Sequence, residues 1–247
     1  MTLRMSRPAV TTPIQDPSLI PAVHRYCDEW CARCPVTARC LVRRLLLERE
    51  KRHGTSYDMS LEEIIEFTHE VAAAEGRTTP ELDALLSPDP AVRARVPEVD
   101  NPLTRLGARY AMEADWYLRS CGWTPPSSPD TPDPSLLDVL AWYHVFIRLR
   151  IDRAVTSHLQ AVRGRQDRLE DALGCAKLVL VSLDRSREAL EGLQRESGEP
   201  YIGRMLTTLS ELTQMMEVRF PAARSFVRAG LDGPHEAAGV AAARRGA

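Results

Sequence analysis

The sequence predicts an all-α protein, a helical bundle of about six to seven helices. Apolar residues recur at helical spacing along nearly the whole chain. Serine, asparagine, proline and glycine fall where those periodic runs begin and end. No stretch alternates apolar and polar residues as a half-buried strand would, and no hairpin turn signal or internal repeat is present. With 247 residues, 44% of them hydrophobic, the chain is long enough to bury a substantial core.

The first helix is expected from about Pro21 into the mid-thirties, and the second from Pro35, because proline at the first helical position loses no hydrogen bond. The second continues through CLVRRLLLEREKRH and stops at Gly54. A third opens at Ser60, with Glu63 completing a capping box, and ends near Gly76. Residues 78–102 are broken by prolines and read as loop with one short helix. Asn101-Pro102 starts the next helix, which places Tyr110, Ala114, Tyr117 and Cys121 on one face.

TPPSSPDTPDPS, residues 124–135, is a proline-rich extended connector. Asp133-Pro134 then reads as the cap and first turn of a long helix reaching about Arg163. Two more follow, about 167–196 and 201–229. The three C-terminal helices are expected to form a bundle, closed by one or more helices from the N-terminal half. In domain terms the expectation is a flexible N-terminus (1–20), a helical region carrying a cysteine cluster (21–122), a proline-rich linker (123–134), the C-terminal bundle (135–229) and a disordered tail (230–247).

Composition excludes several classes. A net charge of −2 gives no global reason for nucleic-acid or anionic-membrane binding. The basic run RRLLLEREKRH, residues 43–53, carries Leu45, Leu46 and Leu47 as a core-facing stripe, so its charges read as a solvated face and not as a nucleic-acid contact. The N-terminal MTLRMSRPAVTTPIQDP has no apolar run that could serve as a signal-peptide core, and no apolar stretch reaches the length of a membrane-spanning helix, so a soluble, cytoplasmic protein is expected, with no membrane partner. There is no phosphate-binding loop, dinucleotide fingerprint or nucleophile elbow.

One segment stands out chemically. HRYCDEWCARCPVTARC, residues 24–40, holds four of the six cysteines at Cys27-x3-Cys31-x2-Cys34-x5-Cys40. Even scattering would put about a third of one cysteine into the fourteen positions from Cys27 to Cys40. In a reducing compartment, closely spaced cysteines point to metal or redox chemistry more than to disulfides. A helix would align Cys27, Cys31 and Cys34 on one face. Pro35 then turns the chain, and Cys40 returns in the second turn of the next helix. The positive end of that helix, with Arg25, Arg33 and Arg39, favours thiolates.

Structural zinc sites more often use two short cysteine pairs held far apart, whereas four ligands in one compact segment suit a cubane [4Fe–4S] cluster. Zinc, or no metal at all with the thiols packed as small apolar groups, remain the alternatives. Asp28 and Glu29 read as solvated residues, His24 as a surface or outer-sphere group, and Tyr26 and Trp30 as shielding or core.

Cys31-x2-Cys34-x5-Cys40 resembles the iron–sulfur loop of endonuclease III-type DNA glycosylases. The resemblance covers about fourteen residues and implies a ligand pattern; the family's helix-hairpin-helix and catalytic residues have no match here. Cys27-x3-Cys31-x2-Cys34 also matches the radical-SAM spacing. That family is built on a β/α barrel and leaves one iron without a cysteine, unlike an all-α chain with a fourth cysteine. More broadly the segment looks like the cysteine-cluster motifs of uncharacterised bacterial proteins.

Second-site candidates are weaker. Glu66-x-x-His69 supplies half of a di-iron carboxylate pattern. His144 and His158 fall on the apolar stripe of the long helix, roughly 21 Å apart and so unable to share one metal. His144 is favoured because Trp142 and Tyr143 adjoin it. Cys121 and Cys175 read as buried small residues, and Met205, Met215 and Met216 as packing.

The expectation is therefore a metal-binding protein carrying a [4Fe–4S] cluster on Cys27, Cys31, Cys34 and Cys40 in a redox or sensing role. Its partner would be a protein or redox carrier. A zinc-stapled interaction module, or a helical-bundle metalloenzyme with a second metal near Glu66, His69 or His144, stands as the alternative.

Overall fold

The computed structural model describes residues 16–54, 59–76, 101–125 and 135–232. Among these there are six α-helices and no strand, as expected of an all-α chain: α1 (Leu41–His53), α2 (Leu61–Ala74), α3 (Pro102–Ser120), α4 (Leu136–Val162), α5 (Arg168–Ser197) and α6 (Pro200–Arg219). No helix among the described residues is long and apolar enough to cross a membrane. The chain divides into two compact units. One spans Met1–Arg25, Pro35–Pro97 and Ala229–Ala247; the other spans Tyr26–Cys34 and Glu98–Arg228.

In the first unit α1 and α2 bury Leu41, Leu45, Val71 and Ala74 against Leu19, Val42 and Phe67. Ser60 caps α2 with the capping box expected of Ser60 and Glu63. The segment before α1 is tied down by Arg39, whose Nε donates to the Ser18 carbonyl at 3.0 Å, and by the Arg44–Asp16 ion pair at 2.6 Å. Arg43 pairs with Glu50, and Arg49 lies over the Phe67 ring near Glu66 and Glu70. The basic run therefore spends these three arginines on neighbouring carboxylates.

The second unit is a four-helix bundle in which α3 packs on α4, α4 on α5, α5 on α6 and α6 on α3. The helix supplied by the N-terminal half is α3, which starts as expected on an Asn101 cap with Pro102 in the first turn. Tyr110, Ala114 and Tyr117 are buried, but Cys121 lies past the helix end and is exposed, which corrects its expected burial. α5 sits deepest and buries residues such as Cys175, Leu180 and Leu183 completely.

Helix ends differ from expectation where local chemistry was misjudged. Ser135, with Asp138 completing a capping box, is the cap of α4, two residues later than Asp133. The last helix stops at Arg219 instead of Ala229, because Pro221 has no N–H to donate and disfavours helical geometry at Phe220. Phe220 and Ala223 beyond it are buried all the same. The helix expected within 78–102 and most of the linker, at 126–134, lie outside the described residues. So does the tail from 233 on, whereas Leu231 is buried.

The largest correction falls on the cysteine segment. It is not an α-helix from Pro21: it contains short 3-10 turns at Val23–Tyr26, Cys31–Arg33 and Thr37–Arg39, with positive φ at Ala22 and Glu29. α1 begins at Leu41 instead of Pro35, which makes Cys40 its N-cap residue.

Candidate functional site

Tyr26–Cys34 belongs to the bundle unit and forms a strap across α4 and α5, fixed at two points. At its start, Tyr26 occupies a notch that exists because residue 174 is glycine: a Cβ there would lie 2.4–2.7 Å from three Tyr26 ring carbons. Phe226 meets the same ring edge-on at 5.2 Å. Burial, and then the charges of Asp171 and Glu170, push the Tyr26 phenol up to about 12. The fixed charges below it form a network in which Arg153 grips Asp171 through two nitrogens (2.5 and 3.1 Å) and Ser157 donates to the same carboxylate at 2.6 Å. Cys175 in this layer has its thiol pushed up to about 11, first by burial and then by Asp171, which makes it an inert core thiol.

The second anchor is Asp28 with Trp30. The Asp28 carboxylate accepts from the Tyr143 hydroxyl at 2.7 Å and from Arg185, which also donates to the Tyr143 oxygen at 2.6 Å. Its backbone carbonyl accepts from Trp142 Nε1 at 2.9 Å. Trp30 is buried, stacked on Trp142 at 5.0 Å and set edge-on to Tyr143 at 5.9 Å. Between these residues Glu29 adopts φ +61°, a left-handed conformation that costs an L-residue about 1–2 kcal/mol. That reversal lets Asp28 and Trp30 both reach the bundle while Glu29 points to Arg150. Burial, reinforced by the neighbouring Asp28 carboxylate, holds the Tyr143 phenol above its ordinary range.

These anchors alternate with the cysteines. Cys27, Cys31 and Cys34 are half-buried on the strap, and Cys34 is extended, as a residue before proline should be. The guanidinium of Arg33 stacks on Trp30 at 5.2 Å. Cys40 is buried in the other unit, where it precedes the first turn of α1. His24 and Arg25 of that unit face the Glu75 carboxylate at 3.6 and 3.3 Å.

Among the described residues, no three His, Cys, Asp or Glu side chains are grouped so as to hold a metal ion. The donor chemistry of the strap suits a thiophilic centre, with three thiols and arginines close by in sequence, but the side chains are not gathered.

The second-site candidates are divided between the two units. Glu66 is exposed and sits 3.9 Å from Arg49, and His69 lies on the same helix, α2, whereas His144 is on α4 in the other unit. The Nδ1–H of His144 donates to the Ala141 carbonyl at 2.7 Å, a local helix contact that fixes its ring orientation. Burial lowers its affinity for a proton. His158 is half-buried and edge-on to Phe220 at 5.5 Å, its proton affinity also lowered by burial. Of the cluster that prompted interest in His144, the neighbours Trp142 and Tyr143 are the residues that reach the cysteine strap.

Reading by sequence missed Asp28, Tyr143, Arg185 and Gly174. A signal was present for two of them: an acidic residue inside a cysteine cluster, and a glycine inside a long helix, which only a packing need justifies. No protein-family model matches the chain, and neither a curated protein nor a solved structure matches it.

Proposed function

We propose that the chain is a metal-binding helical protein in which Cys27, Cys31 and Cys34 of the strap, with Cys40 as the fourth thiolate, hold a [4Fe–4S] cluster in a redox or sensing role. The observation that carries this reading is the alternation of anchors and thiols: Tyr26, Asp28 and Trp30 fix the backbone while the cysteines between and beyond them remain half-buried. Such a centre would supply one-electron chemistry. The chain's own contribution is positional. The Trp30–Trp142 stack keeps water from one side of the strap, and Arg33, Arg150 and Arg185 bring positive charge to a segment that would carry thiolates.

Metal analysis with a visible spectrum, on full-length protein purified without oxygen, tests it. The expected result is about four irons per chain with matching sulfide and a broad band near ~400 nm. The double substitution Cys31→Ser/Cys34→Ser should abolish both while leaving helicity intact. One zinc per chain and no colour would overturn the cluster and make the strap a structural staple; protein that takes up neither metal would overturn the site itself.

A further inference from the structure

The outward face of α3 has no role in the bundle core and none in the cysteine strap. Its exposed positions run Arg105, Arg109, Met112, Trp116 and Arg119, a 4-3-4-3 spacing that forms a single stripe along the helix. At its centre Met112 is 71% exposed and Trp116 58% exposed. An exposed tryptophan beside an exposed methionine is costly to leave in water and is the residue composition of interface hot spots.

The patch extends onto α6. Trp116 meets Tyr201 at 4.7 Å, and the Arg204 guanidinium lies 4.6 Å above the Tyr201 ring. The aromatic pair is held in place: the Tyr201 hydroxyl donates to the Glu113 carbonyl at 3.2 Å, and Tyr201 also stacks on Tyr117. The surface is thus rigid, aromatic at its centre and flanked by arginines.

We infer that this face of α3 and α6 docks an amphipathic helix of a partner protein whose apolar seam is bordered by carboxylates. Helical spacing of the stripe fits a helix laid alongside it, and charge selects which helix. Arg109 and Arg119 are accessible charges, at 62% and 79% side-chain exposure. The Arg119–Asp115 pair lies along the helix surface, and an exposed pair of that kind exchanges partners at little cost. Glu113 is largely covered and has both oxygens engaged, one by Arg109 and the other by Thr208.

Self-pairing is disfavoured by the same charges. A parallel copy sets Arg109 and Arg119 against themselves, and an antiparallel copy centred on Met112 and Trp116 sets Arg109 against Arg119. Nucleic acid offers bases to the aromatic pair but no apolar seam for the exposed Met112, and it is an outcome of the test below.

The test uses full-length protein and four probes: a labelled 21-residue peptide with leucine at 3-4 spacing flanked by glutamate, its lysine-flanked counterpart, a single-stranded oligothymidine, and light scattering for self-association. The expected result is anisotropy binding of the glutamate peptide at least about tenfold tighter than of the lysine peptide, with salt weakening it. Trp116→Ala should weaken it by about tenfold or more, as loss of a hot-spot tryptophan does. The exposed pair Arg109→Glu/Arg119→Glu, checked for unchanged helicity, should reverse the peptide preference. Equal binding of both peptides, binding of neither, preference for the oligonucleotide, or a dimer that Trp116→Ala dissolves would each overturn the proposal.

Discussion

Asp28 and Gly174 show how single residues place the strap. Asp28 is one carboxylate serving a phenol and a guanidinium from two different helices. Asp28→Asn keeps its shape but removes the charge. With the Arg185 side chain 43% exposed, solvent screens part of the lost attraction, so the cost should be about 1 kcal/mol. The informative readout is local: hydrogen exchange of residues 26–34 should quicken while exchange in α5 stays unchanged. Gly174 gives a prediction in sign. In a helix interior, glycine to alanine ordinarily stabilises by about 0.5–1 kcal/mol. Here the new Cβ would strike ring carbons of Tyr26, not the end of a flexible chain, so Gly174→Ala should instead destabilise by about 1–3 kcal/mol in thermal or urea unfolding. A stabilised variant would mean that Tyr26 does not occupy the notch.

α4 is the element on which both the strap and the pH dependence converge. It presents Trp142, Tyr143 and Arg150 to the strap, and carries His144 and His158 half-buried. Both histidines have folded pKa values below the ordinary imidazole value, in each case first through burial. The unfolded chain therefore binds more protons than the folded one once pH drops below about 6.5, and stability falls with it. Urea midpoints should decline between about pH 7 and pH 5, and His144→Leu should flatten part of that slope. A second loss belongs to Asp171. Burial alone would raise its pKa, but Arg153 and Ser157 more than offset this and hold it low. Its contribution is present above about pH 4 and disappears as pH falls through its lowered folded value. The caps of α2 and α3 were legible from sequence, Ser60 with Glu63 and Asn101 before Pro102 being local chemistry within four residues, whereas the cap of α4 was placed two residues early. Pro221 ends α6 by an equally local rule, which the expectation of a helix reaching 229 overlooked.

For the molecule as a whole, the two units differ in what holds them. The bundle's buried cluster draws on four helices and Trp30 of the strap, while the described part of the first unit buries Leu41, Leu45, Val71 and Ala74. Apolar burial is the main source of stability, so local opening should be cheaper where less of it is present. Amide exchange should accordingly be slowest in α5 and α6 and clearly faster in α1 and α2. Equal protection in both sets would show that residues outside those described complete the first unit's core.

The sequence by itself determined that the chain is all-α, where most helices start, and that four cysteines crowd one segment; periodicity, caps and composition act over a few residues and need no distant partner. Only the tertiary structure decided the shape of that segment. Local spacing favoured a helix from Pro21, but Asp28 finds partners 115 and 157 residues away, and Trp30 finds a ring on α4. Burying an indole and satisfying a carboxylate together outweigh about 1–2 kcal/mol of left-handed strain at Glu29, so the chain bends into a strap. Contacts at that sequence distance carry no periodicity, which is why the clamp could be seen only once the helices were packed.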